Sequence, residues 1–231
     1  MKKTIISCVL FLTAVTAFSQ TTMKTAAEAK LSASDLAVKI ADRILATTTY
    51  EFKNAKTGKT YKSVKNLPLD MNVKVACKYN NWHYTNGVTH IALMELADKT
   101  GAKKYDDYVF KNMNFVFNEG NLDFFKKQYD QAMKDEGWYG VRKLSWHMIF
   151  RGKRLDDNGP MGASLIDLQM KHPNNSFLNY INETAEHLNY GEPRLADGTI
   201  ARIWPHENTI WADDAFMAIS FLARMAKMTG D

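Results

Sequence analysis

An all-α fold follows from three features of the sequence. Apolar residues recur at helical spacing in most segments after residue 33, glycines punctuate those segments, and no stretch alternates apolar and polar residues long enough to build a sheet. Past residue 20 a single cysteine remains, Cys77, so an intrachain disulfide cannot hold the fold and a core must. A composition of 45% hydrophobic and 12% aromatic residues can supply one.

Residues 34–47 read as a first helix with Leu36, Ile40, Ile44 and Leu45 on one face and Ser32 or Ser34 as its cap. Residues 51–80 are polar, with Gly58 and Pro68, and read as a long connection. A second helix is predicted over 87–100, closed by Gly101. Residues 105–118, closed by Gly120, and 122–134 follow as helices, whereas 137–150 is rich in aromatics and has no clear period. Residues 155–160, Leu-Asp-Asp-Asn-Gly-Pro, read as a turn that opens a helix over 161–170. A helix over 177–190 and a loop over 191–206 with an Asp197-Gly198 turn lead into a last, largely apolar helix headed by Asp213 and Asp214. Helices of this length joined by short glycine-marked turns predict stacked helical hairpins, and no fixed-period repeat points to a solenoid.

Residues 1–19 read as a secretory signal peptide: Lys2 and Lys3 precede an apolar run over 5–15, and Ala17-Phe18-Ser19 offers a cleavage site before Gln20. The run is too short to span a bilayer, so a periplasmic or secreted protein is expected, with no membrane contact after cleavage. Losing Lys2 and Lys3 takes the formal charge from +5 to +3, a weak bias that suits an acidic substrate. No basic stripe with interleaved aromatics is present, so nucleic acid is not an expected partner.

Three acidic pairs stand out. Asp106-Asp107 and Asp156-Asp157 suit helix capping, and Asp213-Asp214 sits at the head of a helix apolar enough to be buried. At about 100° per residue, Asp214 shares a face with Met217, Phe221 and Met225, while Asp213 shares one with Ser220, Arg224 and Lys227. Helical phase therefore buries Asp214 and exposes Asp213. Trp82-His83-Tyr84, Trp146-His147 and Arg202-Ile203-Trp204-Pro205-His206 combine flat aromatic faces with hydrogen-bonding groups, a composition that suits a sugar ring. The six histidines form no metal-binding spacing, and no phosphate-cradling glycine motif occurs, so neither a metal nor a cofactor is expected.

Several of these segments resemble a known family. Residues 155–165, Leu-Asp-Asp-Asn-Gly-Pro-Met-Gly-Ala-Ser-Leu, are similar to the Asp-x-Gly-x-Met-Gly segment of unsaturated rhamnogalacturonyl hydrolases. Residues 197–202, together with Pro205 and the Trp-Ala-Asp-Asp-x-Phe-Met and Phe-Leu-Ala-Arg-Met blocks of 209–231, resemble that family's next block. Trp82-His-Tyr-x-x-Gly87 is similar to its first substrate-side segment. These enzymes form glycoside hydrolase family 105, related to the glucuronyl hydrolases of family 88. The resemblance covers roughly residues 34–231. It implies an (α/α)6 six-hairpin barrel of which residues 20–231 are about the first half, the family's later Gly-Arg-Gly-Asn-Gly-Trp-like block having no counterpart here.

The resemblance also implies a chemistry. Such hydrolases hydrate the C4=C5 enol ether that polysaccharide lyases leave on a non-reducing uronic acid, the partner being an unsaturated uronate-containing oligosaccharide. The family's acid/base aspartate maps to Asp213 and its second aspartate to the Asp156-Asp157 turn, at Asp157. Trp82, Tyr84 and Trp211 become candidates for stacking on the sugar, and Arg202 and His206 for meeting its carboxylate. An unsaturated glucuronyl hydrolase, an inverting glycosidase on saturated chains and a noncatalytic sugar-binding relative are the competing expectations.

Overall fold

The computed structural model describes residues 32–117, 120–152 and 154–231, and the expected leader over 1–19 lies outside them. Contacts divide the chain into a unit ending at Arg43 and a second unit from Ile44 to Asp231. Helix makes up 62% of the described residues and strand very little, so the fold is all-α.

Helix α1 (Ala33–Thr47) starts at Ser32, whose hydroxyl accepts the Asp35 N–H at 3.1 Å and donates to the Asp35 carboxylate at 2.7 Å. Where a long connection was expected, the chain forms three short antiparallel strands: β1 (Phe52–Asn54), β2 (Thr60–Tyr61) and β3 (Val73–Val75), in the order β2-β1-β3. Phe52 lies opposite both Tyr61 and Val75. Two or three residues are too few to show a period of two in sequence, which is why these strands escaped the reading.

Helix α2 (Tyr84–Thr100) begins earlier than expected, because the His83 ring caps it by accepting the Thr85 N–H. It ends at Gly101 in the left-handed conformation, φ 70°. Helices α3 (Lys104–Phe117) and α4 (Asn121–Val141) follow, α4 kinked at Gly137 where φ is 61°. The stretch that had no clear period holds that kink, a set of turns and the one-turn helix α5 (Met148–Arg151). Phe52 of β1, Phe115 of α3, Phe124 and Phe125 of α4 and Trp146 form one aromatic cluster, with Phe125 and Trp146 stacked at 6.0 Å. The small sheet is thereby fastened to the helices.

Helix α6 (Leu155–Lys171) contains the whole 155–160 segment, which was expected to be a turn. Its Asp, Asn, Gly and Pro residues favour turns by local preference. Tertiary packing overrides that preference: Leu155 and every residue from Asp157 to Ile166 are buried, which marks α6 as the central helix. Helix α7 (Asn175–Glu186), capped by the Asn174 side chain on the Ser176 N–H, continues into a π-turn over His187–Gly191. Helix α8 (Ala212–Thr229) closes the described chain.

The packing of α6 is unusually close. A Cβ placed on Gly87 of α2 would lie 2.3 Å from the Pro160 carbonyl carbon, and one on Gly159 would lie 2.3 Å from the Met217 carbonyl oxygen of α8. Both crossings are thus backbone on backbone, and each falls about one turn from the start of the helices involved. The starts of α2, α6 and α8 must therefore converge.

One buried group sets an acid limit on this fold. His90 in α2 is fully buried, its Nε2 3.4 Å from the Asn112 amide, its Nδ1 without a partner among the described residues, and desolvation lowers its pKa to about 4. The Asn112 amide is oriented by donating to the Tyr79 carbonyl, so it donates to Nε2 as well. The unfolded chain takes up a proton near pH 6.5 that the folded chain refuses until about pH 4, so this group's stability is fully present above pH 6.5 and is lost on acidification between those values. The expected loss is up to about 3 kcal/mol, at 1.36 kcal/mol per pH unit. Denaturant unfolding from pH 7 to pH 4 should show this slope, and His90→Gln should flatten it.

Candidate active site

The converging helix starts open onto a cavity of about 640 Å³. Tyr84 comes from α2, Arg154 and Asp156 from the head of α6, Asp213 and Asp214 from the head of α8, and Arg202, Trp204 and Trp211 from the loop between the π-turn and α8. His187 and Glu192 close the remaining wall. That loop is braced by antiparallel bridges between Arg194 and Ile200 and between Arg202 and Thr209, with a turn at Gly198. Each helix start contributes a partial positive charge to the cavity mouth. A second groove of about 700 Å³, between the strand region and α4, offers little chemistry: Asp70 is held by Asn54 and Asn72, Asp135 by Gln131 and Glu136 by Lys143.

The two acids of α8 divide as helical phase predicted. Asp214 is buried and forms a bidentate ion pair with Arg202, Nε to Oδ2 at 2.7 Å and Nη2 to Oδ1 at 2.5 Å. Asp213 is exposed toward the cavity and accepts the Asp214 N–H at 3.1 Å. The acids of α6 divide too. Asp156 lines the cavity, and its pKa is raised by burial and by Asp214, Asp157 and Asp213, against a lowering pull from Arg202. Asp157 is fully buried behind the wall in a bidentate pair with Arg151. The structure thus brings Asp156, rather than Asp157, together with Asp213.

The other expected residues separate in the same way. Tyr84 and Trp211 line the cavity. Trp211 lays its ring 3.9 Å from the Arg202 guanidinium, which is thus held between an aromatic face and a carboxylate. Trp82 does not present a stacking face: it is fully buried, packs edge-on against Tyr180 at 4.8 Å, and donates its indole N–H to the Asp157 carbonyl at 2.6 Å. Its burial corrects the stacking expectation and makes it a prop under the first turn of α6. His206 is exposed and is not part of the cavity wall.

Sequence reasoning missed three charged or titratable residues of this wall, Arg154, His187 and Glu192. Arg154 stacks over the Trp204 ring at 5.7 Å. His187 and Glu192 are paired at 3.0 Å, and burial together with Asp214 raises the Glu192 pKa against the lowering effect of His187. The π-turn makes that pairing, since its wider winding brings residues five apart together; a reading at 3.6 residues per turn does not. Trp204 was noted in sequence only as a member of an aromatic cluster.

Among the described residues no group of three or more His, Cys, Asp or Glu is arranged to hold a metal ion, and no helix is long and apolar enough to cross a membrane. The arrangement is one of carboxylates, aromatic faces and guanidinium groups, the equipment of a site that binds a sugar ring and moves protons. No curated protein matches the chain. Residues 49–231 match the family model of Glycosyl Hydrolase Family 88. The chain belongs to that family and is a glycoside hydrolase.

Proposed function

We propose that this cavity receives the unsaturated uronic acid at the non-reducing end of a lyase-generated oligosaccharide and hydrates its C4=C5 double bond, with unsaturated galacturonyl-rhamnose chains from rhamnogalacturonan as the substrate. The observation that carries the reading is the meeting of Asp156 and Asp213 on one aromatic-walled cavity. Family membership supports action on an unsaturated uronic acid. The resemblance of residues 155–165 and 197–231 to rhamnogalacturonyl hydrolases favours the pectin-derived substrate.

Asp213 is the acid/base in this reading. In its protonated form it delivers a proton to C4, which places positive charge at C5 stabilised by the ring oxygen. Water adds at C5 and returns its proton to the Asp213 carboxylate. The C5 hemiketal then opens to a ketone, and the freed C1 hemiacetal releases the leaving sugar. Asp156 faces the same space and orients the water, its pKa raised by burial and by the neighbouring carboxylates. Tyr84, Trp204 and Trp211 supply apolar faces for the ring, and the Arg202–Asp214 pair holds the loop that carries Trp204 and Trp211 against α8.

The test is loss of the ultraviolet absorbance of the double bond. Lyase-treated rhamnogalacturonan should lose absorbance in the presence of the protein, and lyase-treated glycosaminoglycan should lose it much more slowly. Persistence of absorbance on both substrates sinks the hydration reading; faster loss on the second reassigns the substrate.

A further inference from the structure

We infer that Arg154 binds the carboxylate of the sugar in this cavity and sets its preference for a uronic acid over a neutral ring. The inference rests on the uronate reading above and deepens it by naming the recognising group.

Among the described residues, the other cationic groups around the cavity are committed. Arg202 gives its Nε and Nη2 to Asp214. Arg151 is consumed by Asp157, outside the cavity. Arg194 donates to the carbonyls of Leu188 and Gly198, and His187 is paired with Glu192. Arg154 makes no ion pair with a described residue, is exposed, and lies on the cavity wall. Its guanidinium carbon lies 5.7 Å from the centre of the Trp204 ring, and its N–H groups make no hydrogen bond to a described residue, so they can bind a carboxylate in fork geometry. Its backbone is extended, φ −139° and ψ 149°, and its carbonyl accepts the Asp157 and Asn158 N–H groups, so it occupies the N-cap of α6 at the positive end of that helix.

Charge balance makes this position decisive. Asp156, Glu192, Asp213 and Asp214 line the cavity with Arg154 and Arg202, and Arg202 is neutralised by Asp214. An incoming anion therefore meets acidic walls except at Arg154. A neutral sugar needs no such group.

The experiment compares binding of an unsaturated galacturonyl-rhamnose disaccharide with binding of its C6 methyl ester, by calorimetry, on the wild-type chain and on Arg154→Gln. Arg154 is exposed, and an unchanged thermal midpoint verifies that the variant folds. The wild type should favour the free acid. Arg154→Gln should weaken the acid by about 10–100-fold, the range for a lost charge-assisted pair, and leave the ester within about threefold, and Arg154→Lys should recover part of the acid binding. Equal weakening of acid and ester, or undiminished acid binding by Arg154→Gln, overturns the inference. All of these titrations are made in an Asp213→Asn background so that turnover does not intrude, and a preference for the acid there, with the double bond left intact by the parent protein, overturns the hydration chemistry and not the role of Arg154.

Discussion

Asp213→Asn is expected to lower turnover by about 10³-fold, within the range for removing a positioned acid/base, and to leave the thermal midpoint where it was. The carboxylate of Asp213 is exposed on the cavity, and the hydrogen bond it makes among the described residues is with the neighbouring Asp214 N–H. An asparagine amide oxygen can accept the same bond, so the fold loses little. Asp214→Asn, one residue away, has a different signature. Asp214 is buried and Arg202 partly buried, and removing the charge leaves the guanidinium unpaired in the wall; the expected destabilisation is about 2 kcal/mol, below the range for a fully buried pair. Urea unfolding and the absorbance assay, run on both variants, separate the two roles. Near-normal turnover by Asp213→Asn combined with a folded, inactive Asp214→Asn would reverse the assignment. The α6 acids extend the comparison: Asp156→Asn should change kcat and its pH profile, and Asp157→Asn should act through stability because it frees Arg151.

What the sequence revealed depended on the range of the interaction responsible. The all-α class, the glycine-closed end of α2, and the opposite fates of Asp213 and Asp214 arise from local periodicity and capping, and the primary structure carries them directly. The position of α6 does not arise locally. Asp-Asp-Asn-Gly-Pro is a turn by every short-range preference and becomes helix because Gly87 and Met217 press on it from distant parts of the chain. The site suffers from the same limit. Trp82 and Trp211 are equal candidates in sequence, and only packing against Tyr180 and Phe117 turns the first into core while the second remains on the cavity. Arg154 carries no motif at all; its availability is evident only once the partners of the other arginines are known.

Gly159→Ala is expected to destabilise the protein by more than about 4 kcal/mol or to prevent folding, and the sign of that effect is the informative part. By helix propensity alone the substitution should stabilise α6 by about 1 kcal/mol. Packing opposes it: the new methyl would lie 2.3 Å from the Met217 carbonyl oxygen and 2.8 Å from its carbonyl carbon. Both are backbone atoms, so no rotamer change relieves the overlap, and α8 must move away from α6 as a unit. Gly87→Ala meets the Pro160 and Met161 backbone at 2.3 and 2.4 Å and should behave alike. Gly162→Ala is the control, because its nearest atoms belong to the Phe221 ring at 2.8 Å, a side chain able to shift, and about 1–2 kcal/mol is expected there. Because the Gly159 crossing lies one turn from Asp156 and Asp213, any Gly159→Ala protein that folds should also lose turnover, the two carboxylates having been moved apart. Denaturant midpoints for the three variants, with activity measured on whichever fold, decide the matter. A Gly159→Ala protein as stable and active as the parent would show that α6 and α8 do not cross in backbone contact, and the convergence of helix starts that builds the cavity would lose its cause.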